Sequence, residues 1–515
     1  MKLIKILSDR IQIKTNEFEF KDVRINDLIS VSDGMITLVT VVVSLTDMDM
    51  SSPIGNEDYI EIPDSVKMIE CSIIGSIKNG KFCKAIDVYP TTDVKAEFIK
   101  SEQFSSMISS SKDGIEIGEY CSYGYPAVID GNKFFQRHSC IVGNTGSGKS
   151  ETVAKILEEA AKLPGSNVIV FDIHGEYSGI SYVDNIKIGE NFPLPIWMFG
   201  FRDMVSNIFK IKEESATVSM TALRKCYNHV CPGGNEDKPV YFVYSNLLDA
   251  INDLNTQKIG TGEYYKTGDK AGMQKTAKGE FNGKLSGMLR MLEEKQKDKR
   301  YGFLFKDKTQ DYVYEVMERI IGGDKPVKNI DLSDVPHDVA IPVIGLITKL
   351  IYGIQCVGDT YKPITIVCDE AHVYIPENFQ LSASERRMVE IFENIAKEGR
   401  KFGVTLFVAS QRPSELNKTI IAQCANLIIG KLNNENDKSM VKGMLPDGNE
   451  SMIDRVSMFS PGDILIAGDA VPIPLKIHVH LAKERPQSRT IDFWDEWKKE
   501  RNHDFKMQIN EYIYS

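Results

Sequence analysis

Residues 143–150 read Gly143-Asn144-Thr145-Gly146-Ser147-Gly148-Lys149-Ser150, and no other stretch limits the fold of this chain as tightly. The pattern is G-x-x-x-x-G-K-[ST], a loop whose glycines let successive backbone N–H groups turn inward on phosphate oxygens. It needs a strand before it and a helix after it, because the helix N-terminus adds positive potential where the phosphates sit. Both flanks are present: the apolar run Cys140-Ile141-Val142 leads in, and Val153, Ile156, Leu157 and Ala160 follow at helical spacing. The expectation is an α/β fold that binds a nucleoside triphosphate. Lys149 would reach the phosphates, the Ser150 hydroxyl would ligate Mg²⁺, and Glu151 closes the nucleotide-contacting set that begins at Gly143.

A second site decides what is done with the nucleotide. Ile364-Thr365-Ile366-Val367-Cys368 is an apolar, β-branched run without alternation, as a strand covered by helices on both faces requires, and it ends in Asp369-Glu370. An acid at this tip holds Mg²⁺, a role that falls to Asp369. Glu370 can orient and deprotonate an attacking water. A kinase does not need that glutamate, so the pair favours hydrolysis and motor work. Val404-Thr405-Leu406-Phe407-Val408-Ala409 is a third buried strand, ending in Ser410-Gln411-Arg412-Pro413, and Gln411 is the candidate γ-phosphate sensor. A fourth, Val168-Ile169-Val170-Phe171, ends in Asp172-Ile173-His174-Gly175-Glu176-Tyr177 and would bring its acids and histidine to the same carboxyl edge, where open α/β sheets bind ligands.

Taken in order, G-N-T-G-S-G-K-S, F-D-I-H-G-E-Y, I-V-C-D-E-A-H, E-G-R-K-F-G-V and S-Q-R-P-S-E-L resemble the blocks of the HerA-type ATPases, in the HerA/FtsK branch of RecA-like motors. The resemblance covers residues from about 135 to 480. It implies a RecA-like P-loop core, an N-terminal small β-barrel that docks a partner, and a homohexameric ring translocating on double-stranded DNA with ATP and Mg²⁺. By the same resemblance Lys149 and Ser150 take the phosphate and metal positions, Asp369 and Glu370 the metal and water positions, and Gln411 the sensor position. Arg400 matches an arginine that enters the neighbouring subunit's site, and Arg137 a family arginine that contributes to the site. Lys431 departs from the pattern: arginine is expected there, and lysine lacks its bidentate fork.

From residue 149 to residue 369 is an interval of 220 residues, more than twice what a bare core needs, so an insertion is expected. The organisation predicted is a barrel over 1–130, with turns at Asp33-Gly34, Asn79-Gly80 and Asp130-Gly131. The first part of the core spans 131–197, a helical insertion 198–340 with Leu285, Met288, Leu289 and Leu292 on one stripe, the second part of the core 341–482, and a C-terminal tail 483–515. Pro461-Gly462-Asp463 to Gly468-Asp469 reads as a hairpin. Ile491, Trp494 and Trp497 fall at helical spacing in the tail, with Tyr512 and Tyr514 beyond. No internal repeat or low-complexity segment is present.

Composition fits a large soluble assembly component. The longest apolar run, Ile36 to Leu45, is about half a membrane span, and the N-terminus lacks a signal-peptide core, so a cytoplasmic protein without a membrane anchor is expected. Nine cysteines without paired spacing point to a reducing compartment. Cys226, His229 and Cys231 form at most half a metal site, with no second ligand pair. The formal net charge of −10 is unusual for a DNA-binding protein, but a ring needs basic residues only on its inner loops. Residues 262–300 supply a local excess, ten Lys/Arg against six acids, and Gly260–Gly268 is a glycine-rich loop with aromatics beside Lys266 that would track phosphates in a pore. The resemblance implies two readings: a duplex-DNA translocase working with a nuclease, or a hexameric scaffold that gates an antiviral effector such as a sirtuin-like NADase or a nuclease.

Overall fold

The β-branched runs that end in acids and glycines line up side by side. In the computed structural model, which describes residues 1–49, 65–86, 88–92, 94–108, 114–189, 191–211, 218–358, 362–377, 381–445, 450–487, 493–498 and 506–514, they form the heart of an eleven-stranded sheet. Seven strands are parallel, in the order Val183–Lys187, Val327–Asp331, Val168–Asp172, Ile364–Cys368, Val404–Ser410, His138–Val142 and Cys424–Ile429. The five from Val327–Asp331 to His138–Val142 are buried along their whole length, which is why they lack alternation. The sensor strand Val404–Ser410 lies between the P-loop strand His138–Val142 and the Asp-Glu strand Ile364–Cys368, so three functional tips are neighbours.

Four antiparallel strands extend the sheet: Asp463–Gly468, Leu475–Val479, Gly114–Tyr120 and Pro126–Asp130. The predicted turn at 461–469 is therefore one strand of a longer hairpin reaching Val479. The pair Gly114–Asp130 moves the barrel boundary back from residue 130, because these strands bond to Leu475–Val479 and not to the N-terminal sheet. Asp130-Gly131 is no hairpin turn either. Asp130 caps the helix Gly131–Gln136, its carboxylate accepting from the Lys133 N–H at 3.0 Å.

The N-terminal strands do form a barrel. Lys2–Ile6, Arg10–Thr15, Ser65–Lys78, Thr37–Asp49, Leu28–Ser32 and Ala96–Phe98 pair in that order. A bridge between Lys2 and Lys95, and donation from the Ala96 N–H to the Met1 carbonyl at 3.1 Å, join last strand to first. Closure removes the exposed edges that invite aggregation, and Leu3, Ile11, Ile13, Val31, Leu38 and Ile69 fill the interior. The barrel is bolted to the large sheet. Tyr123 accepts the Leu28 N–H on its hydroxyl at 2.6 Å and stacks on Phe104, and Lys84 donates to the carbonyls of Gly468 and Val471.

Between the two parts of the core lie helices Val218–Val230, Tyr244–Thr256, Ser286–Lys297 and Tyr312–Gly322, with Leu285, Met288 and Leu292 buried as the stripe predicts. The insertion ends before 340, since Val327–Asp331 is a central strand. That strand can carry polar residues in place of an apolar run because their buried donors find partners: Asn329 donates to Asp172 and Asn185, and Lys328 to Asn167. Helix His337–Val357, of mean hydropathy 1.7, is long and apolar enough to cross a membrane; in this fold its face packs into the core against Ala383–Glu398. The predicted glycine-rich loop at 260–268 is part of an exposed two-stranded hairpin.

The tail does not begin at 483. Lys483 donates its N–H to Glu158, Glu484 accepts from Ser181, and Gln487 donates to the Glu176 carbonyl, so residues 483–487 strap the surface of the core itself. Trp494 and Trp497 stand exposed on Phe493–Lys498. Ile491 and the side chains of Tyr512 and Tyr514 lie outside the described residues.

Candidate functional site

Gly143 to Ser150 wraps the mouth of a cleft of about 780 Å³, lined also by Glu151, His174, Glu176, Glu370, Gln411, Pro461 and Pro486. Two of its glycines are required. Gly148 sits at φ +89°, and a Cβ there would lie 2.9 Å from the Gly462 nitrogen. A Cβ on Gly143 would lie 2.5 Å from the Ser147 hydroxyl. Lys149 opens the helix Lys149–Ala161 and points back into the cleft. Lys431 offers this loop its carbonyl, which accepts the Asn144 N–H at 2.8 Å, a bond that arginine and lysine make equally well.

At the floor, Lys149, Asp369 and Glu370 are all buried. The Lys149 ammonium donates to Glu370 Oε1 at 2.5 Å and lies 3.7 Å from Asp369 Oδ1. One cation faces two carboxylates, and the imbalance shows in their titration. Burial pushes Asp369 up to about 6, with Glu370, Asp172 and Glu176 adding to the rise and Lys149 opposing it. Burial acts against the charge of Glu370 too, but Lys149 and a hydrogen bond from Gln411 outweigh it and hold that carboxyl below its usual range. Glu370 is also strained, at φ +46° in the left-handed region, a conformation that costs a β-carbon residue on the order of 1–3 kcal/mol. Its Oε2 is buried and receives no hydrogen bond. A divalent cation beside Asp369 and a water on Glu370 Oε2 would satisfy both deficits, so the residues present fit Mg²⁺ and a triphosphate.

Gln411 links the two halves of the site. Its Nε2 donates to Glu370 Oε1 at 2.7 Å, while its Oε1 accepts from the Thr145 hydroxyl at 2.5 Å. Thr145 occupies a variable position of the P-loop pattern, so spacing alone could not single it out. Two further neighbours lie within the sequence blocks but have no role assigned there. His372 Nδ1 lies 3.4 Å from Glu370 Oε2 and 3.3 Å from the Ser410 hydroxyl, its own pKa lowered by burial. Buried Tyr177 reaches Asp369 Oδ2 at 3.5 Å. Of the fourth strand's residues, His174 and Glu176 line the cleft as predicted. Asp172 does not. Its carboxylate is spent on the N–H groups of Gly175, Glu176 and Tyr177 and on Asn329.

Comparison with known proteins agrees with this geometry. The family described as "Helicase HerA, central domain" matches residues 115–351. The chain is 27% identical over 477 residues to the DNA double-strand break repair helicase HerA of Saccharolobus solfataricus, covering 88% of each chain. It is 26% identical to the protein of that name from Sulfurisphaera tokodaii, covering 90% of this chain and 89% of the other. Together these matches support a HerA-type ATPase. Its fold is shared with VirB4 of Thermoanaerobacter pseudethanolicus, at a TM-score of 0.51 and 15% identity over 73% of this chain and 98% of that one.

Two predicted site residues are not in the chain's own cleft. Arg137 precedes the P-loop strand, and Arg400 precedes the sensor strand, so both stand at the amino edge of the sheet. The P-loop and Gln411 stand at the carboxyl edge. Strands of five and seven residues put roughly 17–23 Å between the two edges. Arg400 is exposed and its side chain makes no hydrogen bond or ion pair with the described residues. Burial, with the charge of Arg400 added, pushes His138 at this edge down to about 4. Arg137 is half-exposed and pairs with Asp469 at 3.3 Å.

Lys149→Ala is expected to weaken ATP binding by about 10- to 100-fold, the worth of a charge-assisted hydrogen bond of about 1.5–3 kcal/mol. Equilibrium titration with a fluorescent nucleotide reads this, with the melting temperature recorded alongside because two buried carboxylates lose their cation. An unchanged titration would exclude Lys149 as a phosphate ligand.

Proposed function

We propose that this HerA-type ATPase assembles into a homohexameric ring and uses ATP to move along double-stranded DNA, with a nuclease or other effector docked on its barrel. The observation that carries the reading is the division of one hydrolytic set between opposite edges of the sheet. Lys149, Asp369, Glu370 and Gln411 converge in one cleft, while Arg400 and Arg137 face away from it. Arginines so placed reach a nucleotide only if a second copy presents its cleft to them. A ring of such interfaces gives every subunit both parts. The DNA comes from the relatives, whose printed names are those of DNA double-strand break repair helicases.

In this reading the P-loop N–H groups and Lys149 hold the phosphates. The Ser150 hydroxyl and Asp369 would hold Mg²⁺, which would supply positive charge to offset that of the phosphates. Glu370 orients a water on the carboxylate oxygen that has no donor and takes its proton. Gln411, bonded to both Thr145 and Glu370, reports the state of the γ-phosphate to the base. A neighbour's Arg400 neutralises charge developing in the transition state, with Arg137 assisting from the adjacent strand. The acidic surface implied by a net charge of −10 suits a ring whose outside meets no DNA.

ATPase rate with and without linear duplex DNA, measured together with mass in solution, tests the proposal. A hexamer stimulated several-fold by duplex supports it. A hexamer indifferent to DNA overturns the motor and turns attention to a scaffold that gates an effector.

A further inference from the structure

Between helices Tyr244–Thr256 and Ser286–Lys297 the chain leaves the body as a ribbon, Lys258–Tyr264 paired antiparallel with Gln274–Lys278. Neither face covers a core. Every residue of the first strand is exposed, and Ile259, Tyr264 and Met273 are 52%, 58% and 59% exposed. An isolated two-stranded ribbon gains little stability from itself. Its base, by contrast, is fixed: Gly279 and the Asn282 amide donate to the Gln257 carbonyl, and Asn255 receives Gly283 and Leu285. The result is a stiffly rooted arm that contributes nothing to the packing of the domain that carries it.

Its charge is equally unusual in an acidic chain. Five lysines stand against Glu263 and Asp269 over 258–278, and only Lys275 is paired, with Glu263 at 3.1 Å. The ammonium groups of Lys258, Lys266, Lys270 and Lys278 have no hydrogen-bond or ion-pair partner among the described residues. Lys258 stands directly across from Lys278 in the register, a like-charge pair that opposes the hairpin's own formation. An anion along the ribbon relieves that repulsion. The major groove of duplex DNA, about 12 Å wide, admits a two-stranded β-ribbon, and its walls are rows of phosphates.

We infer that residues 258–278 are a DNA arm: the ribbon lies in the major groove of duplex DNA, and Lys258, Lys266, Lys270 and Lys278 bind the flanking phosphates without reading sequence. That the partner is duplex DNA rests on the motor reading above. The arm's own evidence is its shape and its unpaired lysines.

The test is fluorescence anisotropy of a labelled mixed-sequence duplex with the full-length protein and its K258A/K266A/K270A/K278A variant, over a series of salt concentrations. The variant should bind at least ~10-fold more weakly near physiological salt, with a log–log salt slope shallower by about 0.9 for each phosphate that is no longer neutralised. Its melting temperature and its ATPase rate without DNA should match the unmodified protein. If the unmodified protein binds duplex and the variant binds it equally well with the same slope, the arm does not touch the DNA and the motor reading survives. If the unmodified protein does not bind duplex at all, the motor reading and the arm fall together.

Discussion

Glu370→Gln is expected to leave ATP bound and to lower turnover by a factor of at least ~100, the usual worth of a positioned general base. The amide keeps the volume and can still meet Gln411, so the site should not collapse. It cannot accept a proton from water. The nucleotide-free geometry adds a second consequence. Lys149 and Gln411 both donate to Glu370 Oε1, so the base is tied up until phosphates draw the lysine away. With Gln at 370 that ion pair is gone, and ATP affinity should be equal to or higher than in the unmodified protein. Binding by titration and hydrolysis by phosphate release separate the two effects. Turnover at the unmodified rate would remove Glu370 from the chemistry.

Arg400→Ala is expected to fold and assemble normally, yet to lose about 10³-fold or more in hydrolysis, the range found for arginines that stabilise phosphoryl transfer. Stability should barely change, because the Arg400 side chain has no hydrogen-bond or ion-pair partner among the described residues of its own chain. Nucleotide affinity should fall much less than turnover, since the arginine acts on charge that develops in the transition state. Rings that hydrolyse normally would show that Arg400 does not complete a neighbour's site.

The parts of this molecule that were legible in its sequence are those where local pattern and final environment agree. Strands 168–172, 364–368 and 404–410 are buried on both faces, so their apolar runs and acidic or polar tips announce both the sheet and the site. Val327–Asp331 hid inside the expected insertion because its buried polar residues bond to Asp172, Asn185 and Asn167, partners that only the fold brings near. The hairpin 114–130 carries the same turn signals as the barrel, but its neighbour in the sheet is Leu475–Val479, more than 340 residues away in the chain. The ribbon at 258–278 has no apolar face to betray a strand. In the site, Lys149, Asp369, Glu370 and Gln411 follow from motif spacing. Thr145 belongs to the predicted nucleotide set, but its bond to Gln411, like the roles of Tyr177 and His372, emerged only from what these residues touch, and Asp172 proved to be a turn-holding residue.

Mixing two inactive proteins tests directly whether each site is completed across two subunits. Glu370→Gln subunits keep Arg400 but lack the base; Arg400→Ala subunits keep the base but lack the arginine. Where an Arg400→Ala cleft meets a Glu370→Gln neighbour, every required group is present. Co-assembled rings should therefore recover a measurable part of the unmodified ATPase rate, while either variant alone remains inactive. Mixed rings, verified by mass, that stay as inactive as their parents would contradict the shared site.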